Sequence, residues 1–143
     1  MNTQRNEKGF TLIELIVVIA IMGIIGAVLV PQFATMSLRS RMSTDVSTVK
    51  TVQNQAEIFY ADTGKWPGGN ASVITDAGSV VKNLVESSYL DGKYLKNSST
   101  VKLQTEGAVV GVSNSHLILT VDKADYAKFN EGDDKSTWVS AKN

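Results

Sequence analysis

An almost uninterrupted apolar block near the start of the chain constrains its structure more than any other feature. Between Phe10 and Val30 only Glu14 carries a charge. At about 1.5 Å per helical residue, a helix of this length spans about 30 Å, the thickness of the hydrocarbon core of a bilayer. The block therefore predicts a membrane-spanning helix. A carboxylate inside such a helix is costly unless it finds a partner.

The flanks of this block separate three interpretations. A polar, mildly basic segment, Met1 to Lys8, precedes it, as in a secretory signal peptide. However, no Ala-x-Ala cleavage site follows, and the helical pattern continues through Pro31. A plain single-span anchor fits the length but leaves Glu14 unexplained. The third interpretation depends on the residues around the start of the block.

Those residues resemble the processing signal of type IV pilins and the related pseudopilins of type II secretion. The similar segment reads Gly9-Phe10-Thr11-Leu12-Ile13-Glu14, and the apolar run that follows it to Pro31 is also similar. The resemblance implies that a leader peptidase cuts after Gly9 and that Phe10 becomes the N-methylated first residue. It also implies that Glu14 neutralises the terminal amine of a neighbouring subunit during assembly. An unpaired carboxylate is costly at low dielectric, which agrees with this role.

Small residues and a proline interrupt the helical block. Gly23 and Gly26 each cost about 1 kcal/mol relative to alanine, and Pro31 costs about 3 kcal/mol. Gly23 and Ala27 also form a small-xxx-small pair, a spacing that lets helices approach closely. Two interpretations stay open here. Membrane spans tolerate such residues, whereas the resemblance implies a weak helical segment that can stretch in the filament.

The helix is predicted to continue to Asp62 and to stop at Asp62-Thr63-Gly64, giving one helix of about 53 residues. Its second half is amphipathic, so we expect it to dock on a head domain while the first half protrudes. The apolar positions at spacings of three and four are Met42, Val46, Val49, Val52 or Gln53, Ala56 and Phe59.

The remaining residues predict a small α+β head. A short helix is expected from Asp76 to Tyr89, and a polar, partly irregular tail from Asp122. Three strands are expected at Thr100 to Thr105, Ala108 to Ser113 and His116 to Val121. The predicted fold class is α+β and type IV pilin-like, with a long N-terminal helix packed on a small antiparallel sheet. The predicted divisions are a cleaved leader (1–9), a transmembrane and filament-core half-helix (10–31) and a head (32–143) that includes helical residues 32–63.

Catalytic signals are weak, so we predict that the protein is not an enzyme. His116 is the only histidine, and the elbow-like segment around Ser113 lacks both its final glycine and a second histidine to act as base. The chain has no cysteine, which excludes disulfides, thiolate zinc sites and a cysteine nucleophile. Trp66 and Trp138 are expected to fill core rather than to act as surface adhesion anchors.

One oxygen-rich cluster lies near the C-terminus. This acidic cluster comprises Asn130, Glu131, Asp133, Asp134 and Ser136. It does not match the calcium-hand pattern, but calcium favours such oxygens, and the major pseudopilins that the chain resembles bind calcium in a C-terminal loop. Two interpretations stay open: a solvated charged loop and a weak calcium site. No other cofactor is expected.

The predicted function is that of a structural subunit which enters the bacterial inner membrane, loses its leader and polymerises with itself into a pilus at the cell surface. The expected partners are other copies of the chain, the prepilin peptidase, the assembly machinery and the inner membrane. Fourteen basic and fourteen acidic residues cancel, which argues against a strong basic field, so nucleic acid is expected as a partner only through filament function. The alternatives are a major pseudopilin, which acts in protein secretion from a periplasmic filament, and a membrane-anchored binding module that never polymerises.

Overall fold

The computed structural model of the protein describes residues 9–68, 73–129 and 135–143. These residues form two compact units, one extending to Met36 and the other running from Ser37 to Asn143. The side chains of Lys135 and Ser136 are not among the described atoms. The predicted leader, Met1 to Lys8, and most of the acidic cluster, 130–134, also lie outside the described residues.

Helix α1 is the dominant element and spans Leu12–Thr63, with 52 residues. It ends where Gly64 adopts a positive φ of 70° and its backbone N–H donates to the Tyr60 carbonyl oxygen at 2.8 Å. Glycine reaches this left-handed conformation at little cost, which explains the stop. The prediction of one long helix ending at Asp62-Thr63-Gly64 is confirmed.

The first unit contains only the apolar part of α1 and the residues just before it. None of its described residues is buried, and the Phe10 side chain is 91% exposed. Among the described residues, α1 is the one helix long and apolar enough to cross a membrane by length and composition. A large apolar surface is therefore left uncovered in the isolated subunit.

The second unit has its core along one face of α1. Helix α2, Ala77–Glu86, packs its buried Val80, Val81 and Leu84 into the same core. Asp76 caps α2, because its carboxylate accepts the Ser79 backbone N–H at 2.7 Å. The buried residues of α1 are Met42, Asp45, Val46, Val49, Val52, Gln53 and Ala56. The predicted apolar face is confirmed, with Phe59 half-buried at its end.

Two small sheets complete the second unit. Strands β1, Leu95–Asn97, and β2, Thr100–Val101, form an antiparallel ribbon. Strands β3, Val109–Ser113, and β4, His116–Val121, form an antiparallel hairpin with a two-residue turn at Asn114 and Ser115. Both turn residues have positive φ, at 49° and 63°, as a type I′ hairpin requires.

The tail is more regular than its polar sequence indicated. It forms helix α3, Lys123–Phe129, a short helix α4, Lys135–Trp138, and strand β5, Val139–Ala141. Strand β5 pairs with β4 in the parallel direction, so the second sheet is mixed and has the order β3-β4-β5. The predicted α+β class is confirmed, whereas the prediction of three antiparallel strands missed β1 and β5.

The predicted strand from Thr100 to Thr105 ends at Val101. Beyond it, the backbone N–H groups of Gln104 and Thr105 donate to the Asp45 carboxylate of α1 at 2.7 and 2.8 Å. Because a helix side chain takes these donors, they cannot join a strand ladder. The alternating sequence pattern that predicted a strand still corresponds to alternating burial, since Val101 and Thr105 are buried.

Candidate processing and assembly site

The start of α1 is closed by a reciprocal pair of side chains, Thr11 and Glu14. The Glu14 carboxylate Oε2 accepts the Thr11 backbone N–H at 2.8 Å and the Thr11 hydroxyl at 2.9 Å. The Glu14 backbone N–H in turn donates to the Thr11 Oγ1 at 3.3 Å. This arrangement is a capping box, which satisfies backbone donors that the first turn of a helix leaves open.

Glu14 therefore has a role within its own subunit as well as its predicted role between subunits. Both of its accepted hydrogen bonds use Oε2, and no hydrogen bond to Oε1 is found among the described residues. The carboxylate can cap its helix through one oxygen and offer the other to a cation. Sequence reasoning missed Thr11, although a Thr three residues before a Glu at the start of an apolar run is the signature of a capping box.

Among the described residues, no contact requires a glycine at the glycine positions of the predicted site. A Cβ atom built on Gly9, Gly23 or Gly26 would meet nothing within 4 Å. None of the three has a positive φ. The described part of one subunit therefore does not explain their small size, and Ala27 lies on the same uncovered helix as Gly23 and Gly26.

Pro31 lies inside α1 without ending it. Because proline has no backbone N–H, the Ala27 carbonyl oxygen loses its usual helical donor. Near this point the Thr35 hydroxyl donates to the Pro31 carbonyl oxygen at 3.3 Å. The segment from Gly23 to Pro31 thus combines two glycines with a missing hydrogen bond, which weakens this part of the helix.

Two buried polar side chains of α1 hold the head, and sequence reasoning missed both roles. Asp45 is 1% exposed and accepts the Gln104 and Thr105 N–H groups described above. Gln53 is fully buried, and its Oε1 accepts the Leu117 backbone N–H at 2.9 Å. Its Nε2 donates to Glu57 at 3.0 Å. The Gln53–Glu57 bond lies within α1, whereas the bonds from Gln104, Thr105 and Leu117 attach α1 to the strands and loops that follow it.

Three groups of the head have pKa values shifted by hydrogen bonds. Hydrogen bonds from the Ser79 hydroxyl and backbone N–H lower the pKa of Asp76. The Lys93 backbone N–H lowers the pKa of Asp91 in the same way. The pKa of Tyr89 is raised, because its hydroxyl donates to the Asp62 carboxylate at 2.9 Å and that bond favours the neutral phenol. The Asp76 and Asp91 shifts arise at helix caps, and the Tyr89 shift arises from a bond between the segment after α2 and the end of α1.

The other candidates take structural positions. His116 is exposed at the β3–β4 turn, with Nδ1 3.1 Å from the Asn114 carbonyl oxygen. Ser113 belongs to the hairpin predicted for it. In the described ranges, no three residues of the His, Cys, Asp and Glu types are grouped to hold a metal ion. The acidic cluster falls outside those ranges, apart from the backbone of Ser136.

Both tryptophans pack against the core and are half-buried, in agreement with the prediction. The Trp66 ring stacks on Tyr60 with a centroid distance of 4.7 Å. The Lys50 ammonium lies 5.3 Å from the centroid of the Trp138 ring. Neither ring stands alone on the surface as an anchor would.

Comparison with known proteins finds a family model that covers the helix start. Residues 4–30 match the family model described as the prokaryotic N-terminal methylation motif. The chain is 31% identical over 139 residues to the type IV major pilin protein PilE of Neisseria gonorrhoeae, covering 97% of this chain and 70% of that protein. It is 33% identical over 113 residues to the fimbrial protein EcpC of Eikenella corrodens, covering 79% and 73%.

A fimbrial protein of Neisseria meningitidis serogroup B is 38% identical over 97 residues, covering 68% of this chain and 51% of that protein. The chain thus spans about half to three quarters of the length of these relatives. No solved structure matches it. The match to PilE extends over nearly the whole chain and reaches well beyond the N-terminal motif. The chain belongs to the type IV pilin family.

Proposed function

We propose that this protein is the structural subunit of a type IV pilus-like filament, inserted in the inner membrane as a single-span precursor and polymerised after its leader is removed. The observation that carries the proposal is the uncovered apolar half of α1, whose one charge, Glu14, lies four residues after Phe10. Such a surface is unstable in water and must be covered, first by lipid and then by other subunits. Its exposed large apolar side chains include Leu12, Ile13, Leu15, Ile19, Met22, Ile24, Val28 and Phe33.

Processing is proposed between Gly9 and Phe10, followed by N-methylation of Phe10. The match of residues 4–30 to the methylation motif supports this site. The open space around Gly9 supports it as well, because none of the described residues comes close enough to require a glycine there. The proposed divisions are a leader (1–9), a filament-core half-helix (10–31) and a head (32–143).

The proposed assembly contact joins Glu14 of one subunit to the terminal amine of Phe10 on its neighbour. Thr11 holds the carboxylate through Oε2, and Oε1 is directed to the incoming ammonium. An ion pair in a low-dielectric bundle is much less costly than a lone carboxylate, so the contact favours one axial register between neighbouring helices. Gly23, Gly26 and Ala27 would let those helices approach closely, and Pro31 would mark the end of a stretchable segment.

The proposed partners are other copies of the chain, the prepilin peptidase and the pilus assembly machinery. The proposed locations are the inner membrane before assembly and the cell surface afterwards. The proposal requires no enzyme activity and no cofactor. Relatives named as type IV major pilin and fimbrial proteins support an external filament over a periplasmic one.

The test is the intact mass of the protein in filaments sheared from cells. We expect a chain that begins at Phe10 and carries one added methyl group. Processed protein that stays entirely in the envelope, together with a secretion defect on deletion, would favour the pseudopilin alternative. A chain that keeps Met1 to Gly9 in cells with an active peptidase would refute the processing step.

Variants separate processing from assembly. Glu14→Ala should leave cleavage and membrane insertion intact and strongly reduce filament yield. Glu106→Ala removes an exposed carboxylate of the head and is the matched control. Gly9→Val should block cleavage. Normal filament yield from Glu14→Ala would rule out the proposed contact.

A further inference from the structure

Strand β3 forms one edge of the mixed sheet β3-β4-β5 and lacks the usual features that prevent further pairing. Its residues, Val109–Ser113, include neither a charge nor a proline. Natural proteins commonly protect an exposed edge with charged side chains, with proline or by keeping the strand very short. The opposite edge strand, β5, is protected in this way because it has only three residues. The longer edge of β3 is therefore open to another strand.

The hydrogen-bond pattern of the β3–β4 hairpin shows which backbone groups face this edge. Val112 lies opposite Leu117, whose backbone N–H donates to Gln53 Oε1 and is therefore directed away from β3. Opposed residues in an antiparallel ladder alternate between bonded and non-bonded pairs, so Val112 and Val110 both occupy non-bonded positions. Their backbone N–H and C=O groups point away from β4, and the described residues provide no hydrogen-bond partner for them.

A cavity of about 260 Å³ lies beside this edge, between β3, β2 and helix α2. Its walls are mostly small and apolar, and include Ala77, Val81, Val101, Val109 and Val110. Within the described ranges no backbone hydrogen bond joins β2 to β3, since the two strands belong to separate sheets. The β1–β2 ribbon can therefore move aside without breaking a strand ladder.

Strand β2 also directs open backbone groups away from its own partner. Leu95 pairs with Val101, and the Lys102 backbone N–H donates to the Tyr94 carbonyl oxygen at 2.7 Å. This pattern makes Leu95 and Val101 a non-bonded pair, so the N–H and C=O groups of Val101 point away from β1. The cavity is thus bordered by two strands that both carry open backbone groups.

We propose that the β3 edge and the cavity beside it bind an extended segment of a partner protein, which adds a strand antiparallel to β3. We call the cavity together with Val110 and Val112 the strand groove. The two valines exchange backbone hydrogen bonds with the added segment, and its apolar side chains enter the cavity. In this mode of recognition the main-chain bonds supply affinity and the alternate side chains supply specificity.

The strand groove fits a single extended segment better than a second folded head. A segment between β3 and β2 meets open backbone groups on both of its sides, whereas a strand of a folded sheet already has a neighbour on one side. On the solvent side, Lys102 follows Val101 directly, is exposed and has no ion pair within the described residues. The segment therefore alternates apolar residues of valine size with polar residues that include a carboxylate.

The experiment uses the full chain in detergent micelles and the peptide fluorescein-Ser-Val-Glu-Val-Thr-Val-Ser-amide. Fluorescence anisotropy is measured against protein concentration, and the signal of empty micelles is subtracted. We expect saturable binding. A peptide N-methylated at its valines loses the donors that face β3, and should bind at least about tenfold more weakly. N-methylation at glutamate and threonine blocks amides that point away from β3, and should weaken binding less than about threefold.

Variants locate the site on the protein. Val109 lines the cavity and is 47% exposed, so Val109→Glu should keep the fold and weaken binding at least about tenfold, because it brings a charge to an apolar wall. Val73→Glu is the matched control and should bind as wild type does, since Val73 is 43% exposed and does not line the cavity. Lys102→Gln removes the proposed ion pair and should weaken binding about two- to fivefold.

Three results would overturn the strand groove: no saturable binding of the parent peptide, equal binding of the two methylated peptides, or equal losses from Val109→Glu and Val73→Glu. Dimers of the wild-type chain that the peptide dissociates would assign the β3 edge to a second copy instead. The methylated peptides are compared on the wild-type chain, so their result stands even if Val109→Glu does not fold. None of these measurements uses filaments, so their failure is distinct from failure of the proposed function.

Discussion

Replacing Asp45 by alanine should destabilise the second unit more than any surface substitution. The Asp45 carboxylate is 1% exposed and accepts the backbone N–H groups of Gln104 and Thr105 at 2.7 and 2.8 Å. Alanine would leave both donors without an acceptor. A buried N–H left unpaired costs about 1–3 kcal/mol, and the donor of Gln104 is only partly buried, so we expect a total loss of about 3 kcal/mol.

The loss should be visible in thermal unfolding of the full chain in detergent micelles. Trp66 and Trp138 both lie in the second unit, so their fluorescence reports on its unfolding. For a domain of about 100 residues, 1 kcal/mol corresponds to about 4–8 °C in Tm, which predicts a fall of about 12–24 °C.

Two further variants make this test specific. Asp45→Asn keeps the shape and one acceptor oxygen, and should lose about half as much stability as Asp45→Ala. Asp91→Ala removes an exposed carboxylate that accepts one backbone N–H, from Lys93 at 2.9 Å, and should lower the Tm much less than Asp45→Ala does. If Asp45→Ala lowers the Tm no more than Asp91→Ala does, the reasoning from buried donors is wrong.

Three other predictions concern the helix caps and the acidic cluster. Thr11→Ala removes the capping box around Glu14 and should reduce filament yield in the shear assay, while Thr11→Ser should restore it; equal yields from both would refute a capping role. Asp76→Ala should cost about 1 kcal/mol at neutral pH by loss of the α2 cap. Because hydrogen bonds from Ser79 lower the folded-state pKa of Asp76 below its ordinary value of 3.8, its contribution is complete above that pH and is lost as the pH falls through the lower folded value. Urea titrations of wild type and Asp76→Ala should therefore converge in acid, and a constant difference would contradict the assignment. For the acidic cluster we expect a solvated loop, so millimolar calcium should produce neither heat in calorimetry nor a change in Tm; a saturable rise in Tm would establish a calcium site instead.

Local periodicity in the sequence made α1 predictable. Apolar residues at spacings of three and four identified its buried face, and the Asp62-Thr63-Gly64 stop was placed correctly because Gly64 alone suits the left-handed cap. Strand β4 was predicted with its observed bounds, His116–Val121, since its apolar run lies next to a two-residue turn. Each of these signals is contained within one short segment of sequence.

The missed elements depend on partners distant in sequence. Strand β5 has three residues and follows a polar segment, so its pairing with β4 leaves no local pattern. Strand β1 likewise has three residues, two of them exposed, and pairs only with β2. Short edge strands of this kind are selected by the sheet beside them rather than by their own propensity.

The functional site divides in the same way. Gly9, Phe10 and Glu14 belong to one short motif and could be named from sequence, whereas the hydrogen bonds from Thr11 to Glu14 Oε2 are seen only in the structure. What the motif leaves undetermined is the geometry between subunits. For this reason its roles in processing and assembly remain predictions for the mass and yield measurements.

Asp45 and Gln53, on the buried face of α1, accept backbone N–H groups that a neighbouring strand would otherwise bind. In β4, Leu119 and Val121 pair with β5, but β5 does not reach Leu117. Gln53 Oε1 accepts the Leu117 N–H at 2.9 Å, and so occupies the place that a longer β5 would take. Asp45 likewise accepts the backbone N–H groups of Gln104 and Thr105 in the loop after β2. In the sequence, a glutamine or aspartate within an apolar helix face looks like a break in the core-facing pattern. In this fold each one supplies the acceptor that short strands lack, which lets a small head without disulfides attach to its helix.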